Sequence, residues 1–331
     1  MELTTVWFIL IGVLWAGYFL LEGFDFGVGI LLPVLGRDDR SRRLAINTIG
    51  PVWDANEVWV LVAGGATFAA FPEWYATLFS GFFLPLLLIL VALIVRGLAF
   101  EYRGKRSSAA WKRGWDLAIF WGSLIPAILW GVAFANILRG VPLDSQHEYV
   151  GGFFNLLNPY ALLGGLTTLA LFTLHGAVFL ALKTDGPMRT EAGRLAARLA
   201  LVAVPIAAAF LIWTGADNLD GAGIALSVLA ALALIGAVLS TRSRREGWAF
   251  TATGATIVLA VAALFVTLFP NVMPSTIDVT NNLTVNNASS TPYTLTVMTW
   301  VAAAFTPIVL VYQGWTYWVF RKRLKLSDIP T

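Results

Sequence analysis

Cysteine is absent from this chain and histidine is scarce, with only two in the sequence. Without cysteine there are no disulfides, thiolate metal sites or cysteine nucleophiles. His147 lies in a predicted outer loop, and His175 is alone in an apolar segment, where a hydrogen-bonded core histidine is the ordinary interpretation. Haem iron takes axial His, Met, Cys or Tyr ligands. The chain therefore cannot hold a set of haems unaided, and it also lacks P-loop, dinucleotide-binding and zinc motifs.

Charged residues are also few, at 12% of the 331 residues, whereas 58% are hydrophobic. A soluble domain has roughly 25% charged residues. The composition therefore predicts a polytopic, all-α integral membrane protein. The formal charge of +3 is explained by basic loops, so we expect no nucleic-acid partner.

Apolar segments of spanning length recur along the whole chain, and we count nine of them. The first has no basic residue ahead of it, so we interpret it as an uncleaved span. We treat residues 1–331 as one membrane domain. The predicted spans cover about residues 5–32, 46–70, 75–100, 115–138, 154–182, 195–214, 224–240, 248–269 and 295–320.

Basic residues alternate between loops in a regular way. Nearly all of the 22 lysines and arginines fall in every second loop and in the C-terminal tail. Because cytoplasmic loops of membrane proteins are enriched in Lys and Arg, the pattern predicts an outside N-terminus and a cytoplasmic C-terminus, which requires an odd number of spans.

The second apolar segment contains acids at an unusual depth. Asp54 and Glu57 stand between Trp53 and Trp59, and a continuous helix from Ile46 would place Asp54 roughly 12 Å along its axis. An aspartate at the centre of a spanning helix costs about 2.5–3.5 kcal/mol on insertion scales and usually marks an ion or proton path. We expect Asp54 to be central to the function.

The first segment repeats this acidic spacing with Glu22 and Asp25, which share a helix face. Four carboxylates are thus predicted to line one polar seam as a proton relay, since crowded carboxylates at low dielectric cannot all ionise. In the alternative, they cap helices or pair with Arg96 for assembly. Arg96 itself would then pair with Asp25, or extend to the inner interface.

Beside the proton relay itself, two other functions fit these residues. One is a proton-coupled secondary transporter with a mid-membrane site, and the other is an assembly scaffold that has no proton path.

Several motifs resemble one known family. GFDFGVG, the NTIGPVWDANEVWVLVAGG run, FEYRGK, WDLAIFWGSLIPAILWGVAFANILRGVP and FFNLLNPYALLGG are similar to subunit II of the cytochrome bd-type ubiquinol or menaquinol oxidases. These motifs begin at Gly23, Asn47, Phe100, Trp115 and Phe153, and the resemblance extends over nearly the whole chain.

The resemblance implies nine transmembrane helices, arranged as two four-helix bundles and a peripheral helix in a bacterial cytoplasmic (inner) membrane. It implies pairing with subunit I, which holds two b-type haems and one d-type haem, and sometimes with a small single-span subunit. The complex oxidises quinol and reduces dioxygen to water, and it takes protons from the cytoplasm to generate a proton-motive force. No cofactor is expected on this chain, although some members hold a structural quinone.

The resemblance also implies residue roles. Asp54 and Trp53 match the family's proton-uptake aspartate and its neighbour, so we expect a path through Asp54, Trp53, Glu57 and Asp25. Arg96 matches a family base that stabilises the complex or its path, and we group Glu22 with it.

Overall fold

The computed structural model describes residues 2–218 and 221–329, and most of them are helical. The helices are α1 Leu3–Leu35, α2 Asp39–Ile49, α3 Trp53–Ala70, α4 Pro72–Gly81, α5 Phe83–Tyr102, α6 Ala109–Arg139, α7 Gly152–Asn155, α8 Pro159–Lys183, α9 Pro187–Asn218, α10 Gly221–Arg242, α11 Glu246–Leu268 and α12 Pro292–Val319. Two short antiparallel strands, β1 Asn271–Met273 and β2 Leu283–Thr284, lie in the loop between α11 and α12.

Eight helices within the described residues are long and apolar enough to cross a membrane, namely α1, α5, α6 and α8–α12. The all-α membrane fold is therefore confirmed. The predicted count of nine spans is not reproduced by this criterion, because α3 is only 18 residues long and begins with a polar turn that contains Asp54, Asn56 and Glu57.

Prolines break two of the predicted spans into separate helices. The predicted span 46–70 is divided between α2 and α3, which end and begin on either side of Gly50–Val52. The predicted span 75–100 is divided at Phe82, where α4 gives way to α5. Pro51 and Pro85 each lack a backbone N–H, and their rings clash with the carbonyl four residues earlier. Neither span therefore continues as one helix.

Another predicted span begins later than expected. Residues 152–155 form the single-turn helix α7, and α8 begins only at Pro159. Asn158 caps α8 by accepting a hydrogen bond from the backbone N–H of Ala161 at 2.9 Å, and a proline at the first helical position needs no N–H partner.

The long helices form two groups of four and one peripheral member. In the first group, α1 packs against α3 and α6, and α5 packs against α6. In the second group, α8 packs with α9 and α11, and α10 packs with both α9 and α11. Contacts of α1 and α6 with α8 join the groups. Only 6% of the most apolar window of α12 is buried, so α12 takes the place of the single peripheral helix that the resemblance implies.

Glycines set the closest approach between the two groups. A Cβ built on Gly27 of α1 would lie 2.1 Å from the backbone oxygen of Phe172 and 2.7 Å from the Cα of Gly176, both in α8. Because backbone atoms cannot move aside as a flexible side chain can, the contact between α1 and α8 requires glycine at this position.

Basic residues gather at one end of the molecule, which we call the basic end. Arg103 pairs with Asp39 at 2.8 Å and Asp116 at 2.5 Å, and Lys112 also reaches Asp39 at 2.7 Å. Burial alone would raise the pKa of Asp39, but the hydrogen bonds from Lys112 and Arg103 outweigh it and lower that pKa. The loops that the sequence predicts to share one side of the membrane are thus held together by ion pairs.

We predict that Gly27→Ala lowers the apparent Tm of the purified complex by about 2 °C or more, because overpacking a tight contact typically costs 1–3 kcal/mol. Gly236→Ala is the matched control, since a Cβ there meets no atom within 4 Å. Thermal unfolding followed by size-exclusion chromatography measures both variants, and equal stability of the two would contradict the packing argument.

Candidate functional site

Arg96 is the buried cation of the site. Its side chain is fully buried in α5, and its guanidinium lies 4.8 Å from the ring centre of Phe26 and 5.6 Å from that of Phe100. It donates a short hydrogen bond to Oε1 of Glu22, which is also fully buried, and lies 3.8 Å from Oε2 of Glu57. A buried charge needs such partners, so this cluster joins α5 to α1 and α3.

Asp25 does not pair with Arg96, contrary to one of the sequence alternatives. Its Oδ2 accepts a hydrogen bond of 2.7 Å from Nδ2 of Asn56, and both residues are fully buried. The extension of Arg96 to the membrane interface is likewise not observed, because Arg96 is enclosed by its carboxylate partners and aromatic rings.

Helix α12 completes the polar network through Asn56. The Oδ1 of Asn56 accepts hydrogen bonds from Tyr317 Oη at 2.7 Å and from Gln313 Nε2 at 3.3 Å. The Oε1 of Gln313 in turn accepts a hydrogen bond of 2.9 Å from Trp59 Nε1. The peripheral helix is thus attached to the core by amide and phenol groups.

Asp54 lies outside this network, and it stands at a different position along its helix from the one predicted. It stands in the first turn of α3, because the helix begins at Trp53 and not at Ile46, and its side chain is exposed. The ring of Trp53 packs 4.9 Å from that of Phe100. Glu57 lies one turn after Asp54, and its side chain is 20% exposed, so Glu57 connects the exposed start of α3 to Arg96.

The predicted seam of four carboxylates is thus only partly assembled. Glu22 and Glu57 lie at Arg96, Asp25 lies at Asn56, and Asp54 is at the surface of this chain. The sequence alone assigned no role to Asn56, Trp59, Gln313 or Tyr317. A signal was available in α12, since Gln313 and Tyr317 are four residues apart and therefore share one helix face.

Buried carboxylate oxygens in this region remain without a hydrogen-bond partner among the described residues, namely Glu22 Oε2, Asp25 Oδ1 and Glu57 Oε2. An unpaired buried polar atom costs free energy comparable to a lost hydrogen bond. Such atoms are the sites at which a proton or a bridging water would be stabilised.

His175 is a hydrogen-bonded core histidine. Its Nδ1 lies 2.6 Å from Thr253 Oγ1, its Nε2 lies 3.2 Å from the backbone oxygen of Leu20, and its ring stacks on Phe250 with centroids 4.6 Å apart. Both ring nitrogens are engaged, so His175 does not fit as a haem ligand. Within the described residues there is also no cluster of three or more His, Cys, Asp or Glu side chains that could hold a metal.

Comparison with solved structures supports the fold. The chain matches the structure of bd oxidase from Geobacillus thermodenitrificans with a TM-score of 0.79, over 97% of this chain and 100% of the other, at 18% sequence identity. At that identity the likeness shows the fold alone.

Comparison with curated proteins is more specific. The chain is 43% identical to cytochrome bd ubiquinol oxidase subunit 2 of Bacillus subtilis, covering 100% of this chain and 99% of the relative. It is 36% identical to cytochrome bd-I ubiquinol oxidase subunit 2 of Escherichia coli K12, covering 98% and 96% respectively. The family model for cytochrome bd terminal oxidase subunit II matches residues 3–320. This chain therefore belongs to the cytochrome bd terminal oxidase subunit II family and is part of a quinol oxidase complex in the bacterial inner membrane.

Proposed function

We propose that this subunit stabilises the haem-bearing subunit I and provides a proton-uptake path that begins at Asp54. The observation that supports the proposal most strongly is the placement of an exposed acid one helical turn before a buried polar network. Asp54 is exposed in α3, Glu57 is partly exposed and adjacent to Arg96, and Glu22 and Asp25 are fully buried behind it.

Carboxylates suit this task because each can accept a proton and release it again. Glu57 and Glu22 flank the same guanidinium, so a proton arriving at one changes the balance of charge around the other. Their unpaired oxygens can each accept a further hydrogen bond from a proton donor on the path. In this scheme Arg96 positions the carboxylates and does not itself transfer protons.

The proposal requires the partner subunit to cover Asp54. An aspartate that faces lipid near the centre of a spanning helix costs about 2.5–3.5 kcal/mol, and Asp54 is exposed in this chain alone. Large apolar side chains of the neighbouring surface are also exposed, among them Leu61 and Phe68 of α3 and Trp300 and Phe305 of α12. We infer that subunit I packs against this face, so that the path runs along the interface between the subunits.

The other parts of the oxidase belong to the complex rather than to this chain. We propose that two b-type haems and one d-type haem in subunit I oxidise quinol and reduce dioxygen, and that a small single-span subunit is an optional third component. The relatives are named for ubiquinol. Orientation follows the positive-inside rule, with the basic end and the C-terminus in the cytoplasm and the N-terminus outside.

An apolar cleft offers a place for a structural quinone. It is lined by α1, α6 and α8–α11, including Phe134, Phe172, Phe210 and Leu234, and has a volume of about 250 Å³. Such a lining suits an isoprenoid chain. A bound quinone would here be a structural ligand, since no titratable side chain lines the cleft.

We predict that Asp54→Asn slows quinol-dependent oxygen consumption per haem d by roughly tenfold or more, since a positioned proton-transfer group contributes at least that much. Glu101→Gln is the control, because Glu101 is also exposed but lies outside the network. Reduced-minus-oxidised spectra determine the haem content. Normal turnover with normal haem content in Asp54→Asn would refute the path, and a loss of yield with normal turnover per haem would favour the scaffold role.

We predict that Tyr317→Phe lowers turnover per haem by a few-fold while the complex still assembles, because one hydrogen bond to Asn56 is removed and its net contribution is roughly 1 kcal/mol. Tyr312→Phe is the matched control, since Tyr312 is on the same helix and is 62% exposed. Oxygen consumption and thermal stability are measured together. Identical turnover in the two variants would show that the attachment of α12 has no bearing on the path.

We predict that Arg96→Gln and Glu22→Gln each reduce stability strongly, because removing one partner of a buried ion pair costs about 3–5 kcal/mol. The double variant should recover part of the loss, since it leaves no uncompensated charge at this pair. Yield of haem-containing complex and apparent Tm are the measurements. Additive losses in the double variant would indicate that the two residues do not act as a pair.

A further inference from the structure

A second cleft lies at the basic end, away from the polar network. It is bounded by the end of α8, the start of α9 and the turn that joins α10 to α11, and has a volume of about 660 Å³. This cleft is large enough for a headgroup, and it lies where four helices end together.

Arginines dominate the lining of this basic cleft, with five of them against two carboxylates. Arg189 already has a carboxylate partner, because its Nε donates a 2.8 Å hydrogen bond to Glu246. The other four have no carboxylate within ion-pairing distance in the described part of the chain. They are Arg194, Arg242, Arg244 and Arg245.

The connection between α10 and α11 concentrates three of these arginines in four residues. Arg244 has φ of 54°, in the left-handed region that is uncommon for residues other than glycine, asparagine and aspartate. The turn closes through a 2.9 Å hydrogen bond from the N–H of Arg245 to the backbone oxygen of Ser240. The local backbone thus places three exposed cations within four residues, and their combined charge would attract an anion.

The walls of the cleft are small and apolar. Ala181 of α8, Ala196 of α9 and Ala249 of α11 are buried residues that line it. A soluble anion gains nothing from such walls, whereas the glycerol and first methylenes of a lipid would pack against them. Guanidinium groups bind phosphate through paired hydrogen bonds, and basic pockets between membrane helices bind anionic lipid headgroups.

We propose that the basic cleft binds the phosphate group of an anionic phospholipid, with Arg194, Arg242 and Arg245 as its ligands. The lipid neutralises the arginine cluster and joins α9 to the α10–α11 pair. The ligand chemistry, a phosphate ester, is shared with soluble phosphate compounds, but the apolar walls and the location at the ends of spanning helices favour the lipid.

The test uses the whole purified complex in mild detergent, titrated with dioleoyl-phosphatidylglycerol and followed by native mass spectrometry. The triple variant Arg194→Gln, Arg242→Gln, Arg245→Gln is expected to weaken binding roughly 100-fold, at about fivefold per cation. It leaves Arg244 in its left-handed conformation and Arg189 in its ion pair. The control triple variant Lys105→Gln, Arg113→Gln, Lys322→Gln removes three exposed cations from elsewhere at the basic end and should bind as the parent does.

Two further measurements are needed. One separates loss of the binding site from failure to assemble, and the other separates a lipid phosphate from a soluble phosphate. Arg242→Gln alone should weaken binding about fivefold, and it tests the site if the triple variant fails to assemble with normal haem spectra. Displacement of the lipid by millimolar inorganic phosphate, or binding of phosphate without lipid, would overturn the lipid assignment. Equal lipid binding by the parent and the Arg242→Gln complexes, or equal losses in both triple variants, would overturn the site itself.

Discussion

The burial of Arg96 constrains the first helix group more than any other interaction. A guanidinium that is fully buried among membrane helices needs carboxylates close by to neutralise it and accept its hydrogen bonds. The helices that carry those carboxylates must therefore pack next to α5. Glu22 supplies one from α1 and Glu57 another from α3. On the opposite side, a Cβ at Gly122 of α6 would lie 2.7 Å from the Cβ of Arg96. The positions of α1, α3, α5 and α6 are therefore mutually dependent.

Pro51 determines where α3 begins and therefore where its acids lie relative to Arg96. Had the helix continued from Ile46, Asp54 would lie more than two turns inside it. Because α3 begins at Trp53, Asp54 is instead in the first turn, where the unpaired N–H groups and the positive end of the helix dipole favour a carboxylate. One helix break thus gives Asp54 and Glu57 different environments, even though they are only three residues apart.

Much of this arrangement was predictable from the sequence, and the failures have physical causes. Composition and apolar length predict the membrane class and the segments that span, because these depend on transfer of side chains from water, whereas the single peripheral helix was implied only by the family resemblance. The breaks at Pro51 and Pro85 were missed because a hydropathy pattern does not register a missing N–H. The partner of Asp25 was missed because Asn56 reaches it only through the packing of α3 on α1. The contacts of Gln313 and Tyr317 with Asn56 were missed because they join residues more than 250 positions apart in the sequence.

The polar attachment of α12 explains how a helix with so little buried surface stays in place. Apolar side chains gain little by leaving lipid for a protein surface of the same polarity, so association of membrane helices depends on close packing and on polar contacts. Near its start α12 is held by Trp7, which donates a hydrogen bond to Thr299. Near its end, the contacts from Gln313 and Tyr317 converge on the amide of Asn56, which also holds Asp25. A displacement of α12 would therefore change the hydrogen bonding of a buried carboxylate. Because the outer face of α12 is exposed in this chain, a partner packed on that face would act on Asp25 through Tyr317 and Asn56, which couples assembly of the complex to the proposed proton path.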